Sequence, residues 1–199
     1  PVSVALLMEL QGLLMRGTPL EKEAGRLRAT QVVIGRRAEA PPTAFPVQQA
    51  RFVPPPPGSD LQAGLQQLVD WMRADHRARI DPVVAAAMSH YEFETLHPFR
   101  DGNGRIGRLL IVLYLQAVGV LSEPTLTVSP WFESRRGEYY DNLLGVSTRN
   151  RWDDYIQFFA LGLQQAAEST RDEMIALSQV QLELKESIRQ SSLRADNAH

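Results

Sequence analysis

Apolar residues recur at helical spacing in several stretches of the chain, and these stretches predict its main elements. In residues 2–14, 59–77 and 83–96 the apolar positions recur every three or four residues, as in a helix with one buried face. An Asp-Pro pair that begins at Asp81 is typical of a helix start. The apolar run over 109–120 predicts a helix that is buried on most sides.

Two more helices are predicted near the C-terminus, over 130–146 and from 152 to about 177. Beyond Arg171 the sequence becomes polar and keeps a weak apolar stripe. Two interpretations of this tail stay open: a helix that packs on a partner or on a further domain, and a frayed segment.

Short β-prone runs at 31–35 and 50–53 predict a two-stranded hairpin with a long tip. The prolines at 54–57 form a stiff connector after it. Because an isolated hairpin is only marginally stable, we expect this one to lie against the helices.

The composition excludes several classes of function. Residues of opposite charge nearly balance, with 21 basic and 23 acidic residues and a net charge of −2, so we expect no nucleic-acid partner. The absence of cysteine excludes disulfides and thiolate metal sites and is compatible with a reducing cytoplasm. The apolar run over 109–120 is too short to span a membrane. We therefore expect a cytoplasmic protein with no membrane partner.

The chain begins at Pro1 and not at an initiator methionine. We therefore expect it to be a fragment or a processed form of a longer protein, for which the lack of a signal peptide says little.

The densest group of reactive side chains lies at 97–108, which reads His-Pro-Phe-Arg-Asp-Gly-Asn-Gly-Arg-Ile-Gly-Arg. Arg105 and Arg108 share one face of a first helical turn, where the helix dipole disfavours cations. Two cations there indicate a bound anion, and the backbone N–H groups of a glycine-rich turn bind phosphate oxygens. The alternative is an ordinary turn whose arginines are solvated or paired with Glu92 and Glu94.

Residues 97–108 resemble the signature of the Fic family, His-x-Phe-x-Asp/Glu-Gly-Asn-Gly-Arg-x-x-Arg, and match it at every fixed position. The stretches 52–56, 93–96 and 139–143 are also similar to the family, so the resemblance covers roughly 31–167. It implies an all-α fold, a Fic-type helical bundle with one small β-hairpin flap. It also implies transfer of AMP from ATP to a Ser, Thr or Tyr hydroxyl of a target protein, which makes the chain a protein adenylyltransferase.

The resemblance also implies a division of the chain. Residues 1–30 would form an N-terminal helical segment, 31–57 the flap and its connector, 58–175 the catalytic core, and 176–199 a polar helix or tail. The target protein cannot be identified from the sequence. Self-modification and an oligomeric state are both compatible with it.

Three residues carry over from the family signature as base, anchor and metal ligand. His97 would be the general base that takes the proton from the target hydroxyl, Phe99 an apolar anchor, and Asp101 the ligand of Mg²⁺. The chemistry agrees, since a histidine titrates near neutrality. Magnesium needs only one or two carboxylates when phosphates and water complete its shell.

The rest of the signature implies binding of the ATP phosphates. Gly102, Asn103 and Gly104 would bind them, with Asn103 on the α-phosphate. Arg105 and Arg108 would clamp the β- and γ-phosphates, for which the arginine fork is well suited.

Two further contacts are expected. Tyr139 or Tyr140, together with Asn142, would contact the adenine, although aromatic residues at this spacing are more often part of a core.

The flap would bind the target through the strand edge formed by Val32, Val33 and Ile34, since an uncovered edge invites strand addition. The alternative is an edge that neighbouring residues cover.

Gly104 bears on the type of reaction. Family members with lysine at this position resemble the Doc toxins, which transfer phosphate, so Gly104 fits the branch that transfers AMP. Transfer of phosphocholine, removal of AMP from a modified protein, and a non-catalytic module that binds nucleotide or a partner are the alternatives.

Metal binding by His76 and His90 together with His97 is disfavoured, because no second carboxylate completes a ligand set. We expect His76 on the surface and His90 in the core or on the surface.

Regulation departs from the family pattern. Many members carry a helix reading Ser/Thr-x-x-x-Glu-Gly/Asn, whose glutamate pairs with the second arginine of the signature. The stretch 169–173 has that spacing but continues with Met174, so we take it as coincidence. We expect the inhibitory helix to lie before Pro1 or in another protein, and Arg108 to be free of self-inhibition.

Overall fold

The computed structural model of the chain describes residues 2–41 and 43–196, with side chains up to residue 190. In this part of the chain it contains eight α-helices, a single 3₁₀ turn and one two-stranded antiparallel sheet. The predicted all-α fold with a small hairpin is confirmed.

The elements follow one another along the chain in an order that puts the hairpin between the first and third helices. They are α1 (Val4–Leu14), a 3₁₀ turn (Glu21–Glu23), β1 (Ile34–Arg36), α2 (Pro46–Gln49), β2 (Ala50–Phe52), α3 (Ser59–Arg73), α4 (Pro82–Leu96), α5 (Asn103–Ala117), α6 (Ser129–Ser134), α7 (Arg136–Arg149) and α8 (Trp152–Asp196).

The centre of the molecule is the antiparallel pair of helices α4 and α5, which make the most extensive contact between elements. Helices α3 and α8 cover other sides of α4. Fully buried side chains such as Phe93 on α4 and Leu110 and Ile111 on α5 fill the interface. Because so much of their surface is buried, both helices need largely apolar sequences, which is the pattern observed.

The helix starts follow local capping chemistry. The Asp81 carboxylate accepts a hydrogen bond of 2.8 Å from the N–H of Val83, and Pro82 occupies the first turn of α4. The Ser3 hydroxyl accepts one of 3.1 Å from Leu6 at the start of α1. These caps fix the direction in which each helix leaves its loop.

The hairpin pairs Ile34 with Phe52 and Arg36 with Ala50. β1 thus begins three residues later than the β-prone run predicts. Gly35 lies between the paired positions with φ +63°, and a side chain there would approach Arg51 Cδ to 3.1 Å. Because Gly35 has no side chain, it leaves room for Arg51. The Arg51 side chain forms an ion pair with Asp141 of α7, which connects the flap to the helical body.

The helix predicted over 130–146 is divided in two. Arg135, with φ −115° and ψ 31°, separates α6 from α7 and turns the chain between them. Helix α8 runs from Trp152 to Asp196 without interruption, so its tail is helical. Residues 171–190 of this helix are exposed.

No helix among the described residues is both long enough and apolar enough to cross a membrane.

Arg28 is the buried connection between the N-terminal segment and the end of α4. Its side chain is only 4% exposed and donates to the main-chain oxygens of His97 (2.8 Å), Thr30 (3.3 Å) and Leu96 (3.3 Å), and to that of Pro55. Its own N–H donates to the oxygen of Pro98. One side chain thus satisfies several carbonyls around the turn that follows α4, as buried backbone groups require.

Replacing Arg28 with Ala should destabilise the chain by roughly 2–4 kcal/mol, because several buried carbonyls lose their donor at once. Urea unfolding followed by circular dichroism measures this. The exposed Arg26→Ala serves as control and should change the free energy of unfolding by less than about 0.5 kcal/mol. Equal stability of the two variants would contradict a bracing role for Arg28.

Candidate active site

The turn between α4 and α5 is built around a left-handed residue. His97 ends α4 with φ 47° and ψ 59°, a conformation that non-glycine residues adopt rarely and at some cost. Pro98 disfavours helical geometry at His97, and Arg28 holds the His97 carbonyl. The imidazole therefore leaves the helix axis at a fixed point.

Asn103 closes this turn from inside. Its side chain is 2% exposed, its Oδ1 accepts from the N–H of Phe99 (2.9 Å), and its Nδ2 donates to the carbonyl of Phe99 (2.8 Å). Phe99 is fully buried, and its role as an anchor stays a prediction. Asn103 thus braces the turn in this structure, and its contact with an α-phosphate stays a prediction.

Helix α1 supports the outer side of the turn. Gln11 donates to the carbonyl of Asp101 at 3.1 Å and accepts from the N–H of Gly25. Gly102 has φ +84°, and a Cβ there would come within 3.0 Å of Leu14, so the tight turn depends on glycine at that position.

Asp101 and Arg105 lie together on this outer side. The Asp101 carboxylate accepts from the N–H of Gly102 at 2.6 Å, and its other oxygen is 3.8 Å from Nη2 of Arg105. Both side chains are about half exposed, and Arg105 also points towards the sulfur of Met15. They are available to a ligand from solvent, but they do not line the cleft described below.

A cleft of about 280 Å³ opens beside His97. Six of the fourteen residues predicted for the site line it: Ile34, His97, Gly104, Arg108, Tyr139 and Tyr140. The flap forms one wall through β1 and β2, and α7 forms the opposite wall through Leu143, Leu144 and Ser147. The structure therefore brings the predicted base and the second arginine of the signature into one apolar-walled opening.

Arg108 enters the cleft from the second turn of α5, and two side chains hold it. Its Nε donates to the Ser129 hydroxyl at 2.9 Å, and its Nη2 donates to Glu133 at 2.6 Å. The guanidinium is nearly buried, whereas the Glu133 side chain is largely exposed. Nη1 lies next to Gly104, where a Cβ would be 3.2 Å away.

The imidazole of His97 is partly buried at the cleft. Its Nδ1 donates to the main-chain oxygen of Glu94 at 3.3 Å, which leaves Nε2 as the nitrogen with a free lone pair. The pKa of His97 is lowered to about 4, chiefly by burial and also by the charge of Arg28. The hydrogen bond to the main-chain oxygen of Glu94 acts in the opposite direction and raises this pKa. His97 is therefore neutral at pH 7, which is the state a general base requires.

One of the cleft residues, Tyr139, is part of a buried polar cluster. The Tyr139 hydroxyl is hydrogen-bonded to Nε2 of His90 at 2.7 Å, and Nδ1 of His90 lies 3.0 Å from the carbonyl of Gly107. Burial lowers the pKa of His90 to about 3. His90 is therefore neutral and lies in the core, which is one of its two expected locations. Its hydrogen bond to the hydroxyl holds Tyr139 in the cleft wall.

Tyr140 is more accessible than Tyr139. Its hydroxyl accepts from Nε of Arg136 at 3.1 Å, and the Arg136 guanidinium also lies 5.5 Å from the ring centroid. Asn142 points to a separate groove on α7 and donates to the carbonyl of Glu138 at 3.0 Å. Its contact with a nucleotide stays a prediction.

Of the predicted docking residues, Ile34 lies in β1 and lines the cleft, whereas Val32 and Val33 precede the strand and do not line it. Val33 is exposed, Val32 and Ile34 are half-buried, and within the described residues β1 has β2 as its one strand partner. In the part of the chain that the structure describes, no strand pairs with the other edge of β1.

Sequence reasoning missed several residues that build the site. Arg28 and Gln11 brace the turn, while Ser129 and Glu133 hold Arg108. Asp141 forms an ion pair with Arg51 of the flap. These contacts join residues far apart in the chain, and no local pattern signals them.

Groups of three or more side chains that could hold a metal ion are absent from the described residues. A metal ion bound entirely by protein side chains is therefore not supported at His76, His90 or His97. Asp101, with an exposed carboxylate beside the start of α5, could supply a single oxygen ligand.

Comparison with known proteins agrees with this geometry. The model of the Fic/DOC family matches residues 1–115. A Protein adenylyltransferase fic-1 from Caenorhabditis elegans is 36% identical over 121 residues, which are 61% of this chain and 20% of the relative. The Protein adenylyltransferase Fic of Culex quinquefasciatus is 32% identical over 138 residues, 69% of this chain and 23% of the relative. The chain thus spans about a fifth of the length of these curated relatives.

The fold is also shared with solved structures. A Fic family protein from Desulfovibrio desulfuricans superposes with a TM-score of 0.66 and 29% identity, covering 87% of this chain and 47% of the other. The family model covers more than half of the chain, and both the fold and the signature turn agree with it. The chain therefore belongs to the Fic/DOC family.

Proposed function

We propose that this chain transfers AMP from Mg-ATP to a Ser, Thr or Tyr hydroxyl of a target protein. The observation that carries the proposal is the shared cleft of His97, Gly104 and Arg108, which offers a neutral base and a phosphate-binding corner in one opening. Relatives at 30–36% identity are named protein adenylyltransferases, which supports the same activity. A cytoplasmic setting, compatible with the absence of cysteine, is part of the proposal.

The phosphates would lie at the start of α5. Free N–H groups and the positive end of the helix dipole favour anions at this point. Gly104 keeps the approach open, and Arg108 presents Nη1 beside it. Arg105 and Gly102 would add contacts from the outer side of the turn.

The base of the ATP would lie along the wall formed by α7. Tyr140, Leu143 and Leu144 give an apolar surface of the kind that accepts a purine. Tyr139 forms the buried part of this wall, and its hydroxyl is already hydrogen-bonded to His90.

Asp101 is the residue that would hold Mg²⁺. One accessible carboxylate fits an ion that arrives with the nucleotide and keeps phosphate and water ligands. When bound, the ion would neutralise charge on the phosphates and on the departing pyrophosphate.

In the proposed reaction, Nε2 of His97 takes the proton of the target hydroxyl. The hydroxyl oxygen forms a bond to the α-phosphorus, and the bond to the bridging oxygen of the β-phosphate breaks. Pyrophosphate leaves with that electron pair, and the proton remains on His97 until solvent removes it. Arg108 stabilises the charge on the leaving group, which is usually a large part of catalysis in such transfers.

The target would approach over the flap. Its main chain could extend the sheet along the free edge at Val32, Val33 and Ile34, which would place the hydroxyl beside His97. The same approach is open to a segment of a second copy, which would give self-modification.

Replacing His97 with Ala should lower AMP transfer by about 10²–10⁴-fold, the usual effect of removing a general base. Nucleotide affinity should change little, because the phosphates are held by other groups. Incubation of cell lysate with α-labelled ATP measures transfer, and calorimetry measures binding. Labelling by His97→Ala at the rate of the unaltered chain would refute the proposed mechanism.

Replacing Glu133 with Gln should tighten ATP binding by about two- to fivefold, because an exposed carboxylate no longer competes with phosphate for Arg108. AMP lacks a γ-phosphate to reach that guanidinium, and its affinity should stay unchanged. Calorimetry with both nucleotides tests this. The exposed Glu138→Gln is the control, as Glu138 makes no ion pair with Arg108. Weaker ATP binding by Glu133→Gln would show that Glu133 supports the clamp and does not compete with it.

A further inference from the structure

Glu94 carries a buried carboxyl group next to the imidazole of His97. It lies one turn before His97 on α4, lines the same cleft and is 7% exposed. Its Oε2 is 3.9 Å from Nδ1 of His97. Among the described residues, its Oε1 is the one buried side-chain nitrogen or oxygen without a hydrogen-bond partner.

The carboxyl group is confined by the close approach of α4 and α5. A side chain at Gly107 would collide with Oε1 of Glu94 and would come within 3.1 Å of Phe93 and 3.2 Å of His90. Glycine at this position therefore leaves the space that the carboxyl group fills. A buried carboxyl without a partner costs free energy, and such a group in a native structure calls for a reason.

Few of the groups that face Glu94 can compensate a negative charge on its carboxylate. On α4 these are His90 and His97, on α5 Arg108, on α7 Tyr139 and on α8 Tyr155. Burial keeps both tyrosines and His90 neutral, since it raises the pKa of each hydroxyl and lowers that of the imidazole.

Two groups remain that can interact with an ionised Glu94 as cations. Arg108 is paired with Glu133, although its charge still favours the carboxylate form of Glu94. His97 becomes cationic when it accepts a proton, and Glu94 is then its neighbour at Nδ1.

We propose that Glu94 is a positioning residue for His97: it holds the N–H on Nδ1, keeps Nε2 free for the target hydroxyl, and offsets the charge of the imidazolium. This rests on the proposed function, in which His97 is the base. The main-chain oxygen and Oε2 of Glu94 lie 3.3 Å and 3.9 Å from Nδ1 of His97, so both favour the tautomer that carries its proton on Nδ1. When the hydroxyl proton moves to Nε2, the positive charge spreads to Nδ1, beside the carboxylate.

The proton balance of the step is unchanged by this role. The proton of the hydroxyl goes to Nε2, the proton on Nδ1 stays in place, and Glu94 neither gains nor loses one. Because the imidazolium forms only during the reaction, the benefit falls on kcat and not on nucleotide binding.

Glu94→Gln, which keeps the size of the side chain, tests this role against Glu92→Gln. Glu92 is exposed on the same helix and does not line the cleft. At pH 8.5 we expect Glu94→Gln to lower kcat on the order of tenfold, with the KM for ATP and its Kd unchanged. Glu92→Gln should behave as the unaltered chain. An unchanged kcat in Glu94→Gln, or a loss confined to ATP binding, would overturn the proposal.

The pH dependence separates this role from a merely structural one. Burial raises the pKa of Glu94 to about 7, so the carboxylate is present above that pH and lost below it, where a glutamine is a close substitute. The ratio of kcat between the unaltered chain and Glu94→Gln should therefore rise from near one at pH 5.5 to on the order of ten at pH 8.5. A ratio that does not vary with pH would indicate a structural effect and overturn the proposal.

A third readout needs no enzymatic activity. Nitrogen NMR of the ¹⁵N-histidine-labelled chain, with His97→Ala for assignment, should show the His97 proton on Nδ1 and an inflection near pH 7 that disappears in Glu94→Gln. A proton found mainly on Nε2, or an inflection that persists in Glu94→Gln, would overturn the proposal. If the unaltered chain labels no protein at all, the proposed function fails, while this measurement still decides whether Glu94 and His97 are coupled.

Discussion

The site depends on one constraint, the left-handed turn at His97 that joins the two central helices. A turn of this kind at a residue other than glycine costs free energy, and the surrounding structure supplies what holds it. Arg28 bonds the carbonyls outside the turn, and Asn103 bonds both backbone groups of Phe99 inside it. The imidazole and the first turn of α5 therefore keep a fixed relation. The proposed transfer needs this, because the base and the phosphate-binding groups must hold the hydroxyl and the α-phosphate in one geometry.

Charge in the cleft is balanced by carboxylates before any ligand arrives. Arg108 is paired with Glu133 on one side, and the buried Glu94 lies near it on the other. In the proposed function, a triphosphate would replace the first of these partners, whose side chain is largely exposed. Arg108 is expected to be free of self-inhibition, because the sequence has no intact inhibitory helix. The structure nevertheless places the carboxylate of Glu133, on α6, at the same guanidinium.

Much of the architecture could be predicted from local patterns. Apolar periodicity gave the main helices, and the Asp81 cap gave the start of α4, because both depend on neighbours in sequence. The break at Arg135 and the shifted strand β1 were missed, since tertiary packing decides them. The structure places two residues of the signature, His97 and Arg108, in one cleft, and their roles stay predictions. Their supports come from distant parts of the chain, and for a single sequence no pattern connects them.

The central proposal is that the cleft beside His97 receives the phosphates of ATP. A crystal structure of the chain with Mg²⁺ and a non-hydrolysable ATP analogue tests this most directly. We expect the α-phosphate within reach of Nε2 of His97, the terminal phosphate on Arg108, and Glu133 released from it. A nucleotide bound elsewhere, with the pair between Arg108 and Glu133 intact, would contradict the account.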